Sequence, residues 1–258
     1  MSAAGDRLGV FSHQQFLWYE TVPSTNDLAA ALAERGAREG CAVIADAQSA
    51  GRGRQGRNWS SPPGAGLYVS AILRPPNRAL GLLTIAAGVA VAEAVQSATG
   101  LDPRLKWPND VYAGERKMAG VLAEAGSLDE GRDHEEPRLR YVVLGIGINV
   151  MPAAHPPDVA ARATSIEEEL GRGIDRGLLL AECLASLAAR YEELRQGRTE
   201  GVLGAWRARS RATFGRTVEF EAGGARRGVA EDIDENGALL VRTDKGLERV
   251  ISGEVRWI

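Results

Sequence analysis

The sequence predicts an α/β domain followed by a small all-β barrel. Three observations point there. Strand-like and helix-like apolar patterns are intermixed from Phe16 to about residue 210. The helical period then stops, and short alternating runs separated by glycine turns fill the rest of the chain. The composition, 44% hydrophobic and 25% charged over 258 residues, suits one large domain with an ample core, or one plus a small appendage.

Phe16 to Val22 reads as a strand that Pro23 ends. Ser24 opens a helix in a capping-box-like start with Asp27, Leu28, Ala31 and Leu32 give it an apolar stripe, and Gly36 stops it. Residues 41–46 and 67–73 are strands on either side of an Arg/Gly loop. Pro75 and Pro76 precede a long apolar helix at 79–98. Residues 104–107 are strand-like, Pro108, Asn109 and Asp110 are turn chemistry, and 111–125 form two strands around Gly114. The charged stretch 127–140 is an exposed excursion, and 141–150 is a buried strand running into glycines.

Helices are expected at 158–170, 176–196 and 199–210. Leu178, Leu179, Cys183, Leu187 and Tyr191 share one face of the second. After Phe214 come four or five short strands with turns at Gly223-Gly224, Asn236-Gly237 and Lys245-Gly246. The domain boundary is placed near Ala212, dividing the chain into 1–211 and 212–258.

A net charge of −3 gives no global basic excess, so nucleic acid is not an expected partner. Cys41 and Cys183 lie in apolar contexts without a paired framework and read as buried thiols of a reducing, cytoplasmic compartment. The N-terminus lacks the pattern of a signal peptide. The apolar run 79–95 is shorter than the roughly 20 residues a membrane span needs and carries Glu93, so a buried helix is expected and no membrane. His13, His134 and His155 are scattered, and no His/Cys cluster has metal-ligand spacing.

Four short motifs carry chemistry. In GRGRQGRNW (51–59), arginines offer planar donor forks that suit phosphate, and glycines let the backbone approach a ligand and move. The same residues also suit a solvated loop, and no P-loop pattern follows. KWPND (106–110) places a lysine, an aromatic, an amide and a carboxylate around a proline-fixed turn, which can equally be a plain turn. RKMAG (116–120) sets Lys117 just before a buried strand, facing inward or at the surface of a hairpin. GIGIN (145–149) ends a strand with glycines and an amide, for ligand approach or for sheet packing.

Taken in order, these four motifs and the C-terminal β segment resemble the biotin protein ligases over almost the whole chain, from about Phe16. The resemblance implies a mixed sheet flanked by helices, like that of class II aminoacyl-tRNA synthetases, followed by an SH3-like barrel. It implies that ATP and biotin are substrates, with Mg²⁺, that biotinyl-5′-AMP forms, and that biotin passes to a lysine of a biotin carboxyl carrier domain. Ser24, Thr25, Asn26 and Gln48 match residues that contact biotin. Gly51, Arg52, Gly53, Arg54, Gly56 and Arg57 match the loop that wraps biotin and adenylate. Trp59 matches the aromatic over the nucleotide, Lys106, Asn109 and Asp110 the cluster near the adenylate, Lys117 the lysine between biotin's carboxylate and the phosphate, and Asn149 the amide beside adenine.

Too few residues precede the first strand for the N-terminal DNA-binding domain that some members carry, so a ligase-only form is expected. Lipoate and octanoate ligases lack GRGRxGRxW and KWPND. A non-catalytic biotin sensor or a nucleic-acid-binding protein is the other reading. The exposed face of the sheet leaves room for a homodimer.

The implied reaction brings two anions together. Arg52, Arg54, Arg57 and Lys117 are expected to offset their repulsion, Arg54 and Lys117 chiefly in the transition state. The loop is expected to move and to shelter the labile product. Asp110 is the expected base for the attacking amine.

Overall fold

The computed structural model describes residues 7–129, 138–211, 213–221, 224–251, 253 and 255–258. The predicted excursion at 127–140 falls largely on 130–137, and the predicted turn at Gly223-Gly224 partly on 223. Both parts lie outside the described residues.

The first region runs β1 (Phe16–Val22), α1 (Thr25–Glu34), β2 (Ala42–Gln48), β3 (Gly66–Leu73), α2 (Leu83–Thr99), β4 (Arg104–Lys106), β5 (Asp110–Ala113), β6 (Arg116–Ala125), β7 (Leu128–Asp129), β8 (Arg138–Leu139), β9 (Val142–Asn149), α3 (Ile166–Leu170), α4 (Arg176–Arg195) and α5 (Thr199–Ser210). Among the described residues the main sheet has seven strands in the order β1-β2-β3-β9-β6-β5-β4. The β1–β2 pair is parallel and the rest are antiparallel, which makes the sheet mixed.

Strand alternation divides this sheet into two faces. On one, Leu144, Ile146 and Ile148 of β9 join Leu67, Val69 and Ala71 of β3 in the main core. The helix α2 covers it and packs in turn against α4 and α5. Because α2 is buried on nearly every side, its sequence is apolar all round rather than striped. Each buried Val or Ile there contributes about 1.5–3 kcal/mol. By length and composition the run Asn77–Thr99 could cross a membrane, and it is buried inside the protein. On the opposite face, α1 packs Ala29 and Ala33 over Cys41, Val43, Ile72 and Val143. Both cysteines are free and buried, as the sequence implied.

Four local expectations change. The run 158–170 is not one helix: a 3-10 turn at Pro157–Val159 and the short α3 replace it. The break follows from the prolines at 156 and 157 and from Ser165, whose hydroxyl caps Glu168 N–H and starts a new helix. Leu178 is 49% exposed, outside the buried face formed by Leu179, Cys183, Leu187 and Tyr191. The buried side of α1 runs through Thr25, Asn26, Ala29 and Ala33, leaving Ala31 exposed. Ser24 is the N-cap of α1 but makes no side-chain cap bond, and Asp27 turns to Arg52 instead.

After α5 come β10 (Thr217–Glu221), β11 (Ala225–Ile233), β12 (Leu239–Thr243), β13 (Gly246–Val250) and β14 (Val255–Trp257). They form an antiparallel sheet, β13-β12-β11-β10-β14, the small SH3-like domain expected. It is joined to the first region by Trp107, whose buried indole N–H donates to the Gly237 carbonyl (2.8 Å). Arg207 adds bonds to Asp232 (2.8 Å) and to the Ile233 carbonyl (2.8 Å).

Candidate active site

A cavity of about 600 Å³ opens on the α1 face of the sheet, beyond the first turn of α1. Its floor is built by register. Ser70, Gly145 and Leu122 lie side by side on β3, β9 and β6, and Tyr68, Gly147 and Gly120 form the next row. The two β9 glycines keep this floor open. A Cβ on Gly145 would come within 2.2 Å of Asn26 Oδ1, and one on Gly147 within 2.7 Å of Trp59 Nε1. The pattern GIGIN is thus a strand with isoleucines toward the core and empty positions toward the cavity, where two side chains from elsewhere come to rest.

At the α1 end, a closed hydrogen-bond network holds Thr25, Asn26 and Gln48. Thr25 N–H donates to Gln48 Oε1 (2.9 Å), and Thr25 Oγ1 lies 3.1 Å from the same oxygen. Gln48 Nε2 donates to Ser61 Oγ (2.9 Å), whose hydroxyl reaches the Trp59 carbonyl (3.1 Å). Ser70 Oγ lies 2.7 Å from Thr25 Oγ1 and 2.5 Å from Asn26 Oδ1. Asn26 Nδ2 donates to Glu124 Oε2 (2.5 Å). Thr25, Asn26 and Ser70 are buried, so these bonds fix their side chains before any ligand enters; Ser24 is buried beside them.

The arginine loop is a hairpin-like excursion. Gly53 N–H bonds the Arg57 carbonyl (2.7 Å) and Trp59 N–H the Gly51 carbonyl (2.9 Å), with a 3-10 turn at Arg54–Gly56 between them. Arg52, Gly53, Arg54, Arg57 and Trp59 line the cavity. Gly51 and Gly56 do not; they sit at the loop's root and in its turn. Arg52 is clamped by both oxygens of Asp27 (2.6 and 2.7 Å), and this bond holds the Asp27 carboxyl below the usual carboxylate range. Arg54 is half-buried, which lowers its affinity for a proton, and it donates to the Gly253 carbonyl of the β domain (3.3 Å).

Across the cavity Lys117 Nζ pairs with Asp110 Oδ1 (2.6 Å) and lies 5.4 Å over the Trp59 ring. Lys117 is the second residue of β6, held in place where its N–H and carbonyl bond the 162–164 segment (2.8 and 2.9 Å). Asn109 is buried and zips the 107–109 turn to β6, its Nδ2 and its carbonyl both bonding Val121. Asn149 Nδ2 donates to the Thr164 carbonyl (3.0 Å), and its residue lines the far end of the floor.

Lys106 departs from the expected grouping. It does not line this cavity; its ammonium lies 4.6 Å over Tyr112 and 5.7 Å over Trp257, beside a separate small cleft. Burial pushes its pKa down, and the two rings supply the attraction that water no longer gives.

Several lining or supporting residues escaped sequence reasoning: Ser61, Ser70, Glu124, His155, Asp158, Arg162, Gly253 and Val255. Ser70 left a signal, being the one polar residue in the otherwise apolar strand β3 apart from Tyr68. His155 left none, since its neighbours in sequence are prolines and alanines. Its two ring nitrogens and Trp59 Nε1 are buried without a hydrogen-bond partner among the described residues.

Residues 18–149 match the model of the Biotin/lipoate A/B protein ligase family, and residues 213–256 match the Biotin protein ligase C terminal domain. The chain is 33% identical over 246 residues to the bifunctional ligase/repressor BirA of Bacillus subtilis, covering 94% of this chain and 74% of that one. It is 36% identical over 241 residues to the biotin–[acetyl-CoA-carboxylase] ligase of Mycobacterium tuberculosis, covering 90% and 85%. Among solved structures, the biotin protein ligase from Aquifex aeolicus in complex with biotin and ATP superposes with a TM-score of 0.81. It is 30% identical, over 95% of this chain and 98% of that one. With its site framework, both domain matches and relatives along nearly its whole length, the chain belongs to the biotin protein ligase family.

Proposed function

We propose that this chain is an ATP-dependent ligase that activates biotin to biotinyl-5′-AMP and transfers biotin to a lysine of a biotin carboxyl carrier domain. The observation that carries this is convergence: residues of all four sequence motifs, far apart in the chain, line one cavity. Solved relatives hold biotin with ATP, or biotinyl-5-AMP.

In this reading the fused ring of biotin occupies the α1 end, against Ser24, Thr25, Asn26 and Gln48, with Gly51, Arg52 and Gly53 behind it. Its carboxylate points along the glycine floor toward Lys117. The α-phosphate of ATP lies between Lys117, Arg54 and Arg57, Trp59 covers the nucleotide beside Gly56, and adenine sits by Asn149. A carboxylate oxygen attacks the α-phosphorus and the bond to pyrophosphate breaks. Arg54 and Lys117 stabilise the charge that gathers on the phosphoryl oxygens. Lys106 acts at one remove, holding Tyr112 and Trp257 together beside β5.

Lys117 serves two partners in turn. It pairs with Asp110 at 2.6 Å, and entering anions draw it away. Asp110 is then free to take the proton as the carrier amine attacks the biotinyl carbonyl and the bond to AMP breaks.

Magnesium fits as a companion of ATP. Among the described residues there is no cluster of three or more His, Cys, Asp or Glu that would hold a metal. Mg²⁺ takes most of its ligands from phosphates and water, so one or two carboxylates suffice, and Asp110 and Asp158 line the cavity. Bound there, the ion would screen phosphate charge. We place the domain boundary between 211 and 212, and the enzyme in the cytoplasm, where ATP is supplied and buried thiols such as Cys183 stay reduced.

The test is incubation of the protein with ATP, labelled biotin and a carrier domain. Label should reach the carrier only when ATP is present, with release of pyrophosphate. A carrier that stays unlabelled while the protein is folded removes the reading.

A further inference from the structure

We propose that Glu124, with Asp27, is a positioning residue that ties occupancy of the α1 end of the cavity to the placement of the arginine loop. The coupling rests on the reading of that end as the biotin-ring site.

Glu124 closes the row that begins with Gly120 and Leu122 on β6, one step beyond the cavity lining. Its carboxylate serves two residues that do line the cavity. Asn26 Nδ2 donates to Oε2 at 2.5 Å, and Arg52 Nη2 lies 3.4 Å from each oxygen. Arg52 in turn grips Asp27, the next residue after Asn26 in α1, through both terminal nitrogens. Two elements distant in sequence, α1 and β6, therefore meet on one guanidinium of the loop.

This geometry changes what Arg52 does. Two carboxylates face it, so its charge is more than matched and little is left for a phosphate. Its contribution is mechanical: it pins the loop near its root, while Arg54 and Arg57 lie beyond the pin. The other end of the excursion is held by Ser61, which receives Gln48 Nε2. A hydrogen-bond path thus runs from Ser61 through Gln48, the N–H and hydroxyl of Thr25, Ser70, Asn26 and Glu124 to Arg52, with the Thr25 hydroxyl donating to Ser70 and the Ser70 hydroxyl to Asn26 Oδ1. A ligand that takes a hydrogen bond from Asn26 or Thr25 must redistribute the bonds along this path, and the path ends on the loop.

The experiment is hydrogen exchange of the full-length protein over residues 50–60, with and without biotin, in the wild type and in Asp27→Asn, Glu124→Gln and Arg52→Gln. Asp27 is exposed, so Asp27→Asn should fold even if Glu124→Gln does not. Without biotin, loop exchange should rise about three- to tenfold in Asp27→Asn and somewhat less in Glu124→Gln, in line with partly exposed ion pairs. In the Arg52→Gln background, Glu124→Gln should add nothing further to loop exchange, a non-additivity that a general loss of stability would not give. In Asp27→Asn and Glu124→Gln, with Arg52 intact, the KM for biotin should rise while the KM for ATP and kcat stay within about twofold.

Loop exchange at the wild-type rate in both carboxylate variants would overturn the anchor. Additive effects in the Arg52→Gln background would overturn it as well. A wild type that binds no biotin would remove the coupling together with the cavity assignment. Exchange in the unliganded loop still reads the anchor independently, so the two failures can be told apart.

Discussion

The two ends of the cavity are built on opposite plans. At the α1 end, Gln48, Thr25, Ser70 and Asn26 bond one another, and Thr25, Ser70 and Asn26 are buried. At the far end, Trp59 Nε1 is buried without a hydrogen-bond partner among the described residues, His155 has only the Glu168 carboxylate at 3.6 Å, and Arg54 is partly stripped of water. A network whose side chains are placed in advance can exchange hydrogen bonds with a ligand while its groups stay in position. Buried donors without partners gain most when a ligand supplies them. The α1 end is therefore a preformed template that hands its exchanged bonds on to the loop, and the far end is where buried donors still lack partners.

Four substitutions or conditions break or sharpen this contrast. The largest effect belongs to Lys117→Ala, which removes the cation proposed to face both anions. Adenylate formation should slow by about 3–4 kcal/mol, two to three orders of magnitude. Single-turnover formation at the wild-type rate would take Lys117 out of the reaction.

Gly145→Ala comes next. The new methyl would meet Asn26 Oδ1 at 2.2 Å and force the amide out of its network. Biotin binding should weaken by about 2 kcal/mol, roughly thirtyfold. ATP binding, measured separately by calorimetry, should be little changed; equal losses would mean that the two ends are not independent. Ser70→Ala is milder. It leaves Asn26 Oδ1 without its buried donor and should cost biotin affinity about 1 kcal/mol, roughly fivefold.

The smallest effect concerns pH. The hydrogen bond from Arg52 lowers the Asp27 pKa below its ordinary 3.8. A depressed folded pKa gives stability that is complete above the unfolded value and lost as pH falls through the folded one. Loop exchange, corrected for its intrinsic rate, should therefore be flat from about pH 5 to 8 and rise only in stronger acid. A rise already near neutrality would point to a different group.

Much of this was legible because the relevant residues are neighbours in sequence. The arginine loop, KWPND and GIGIN announced themselves through spacing, and strand parity would have sent Gly145 and Gly147 to the side opposite Ile146 and Ile148. What could not be read is whatever depends on distant segments meeting. Glu124 is 98 residues from Asn26, and nothing in RKMAGVLAEA marks its ninth residue as special. Asp27 looked like a capping residue, since the local pattern cannot show that Arg52 outbids the helix end. Lys106 was grouped with Asp110 by adjacency, whereas the rings of Tyr112 and Trp257, one of them 151 positions away, draw it elsewhere.

The indole of Trp107 links the KWPND turn to the second domain through the Gly237 carbonyl. A version of the protein trimmed after residue 211 would lose the acceptor of this bond, beside the very turn that presents Asp110. The lost bond is worth about 0.5–1.5 kcal/mol, enough to loosen the turn. The small domain thus works as the abutment against which the chemistry is braced.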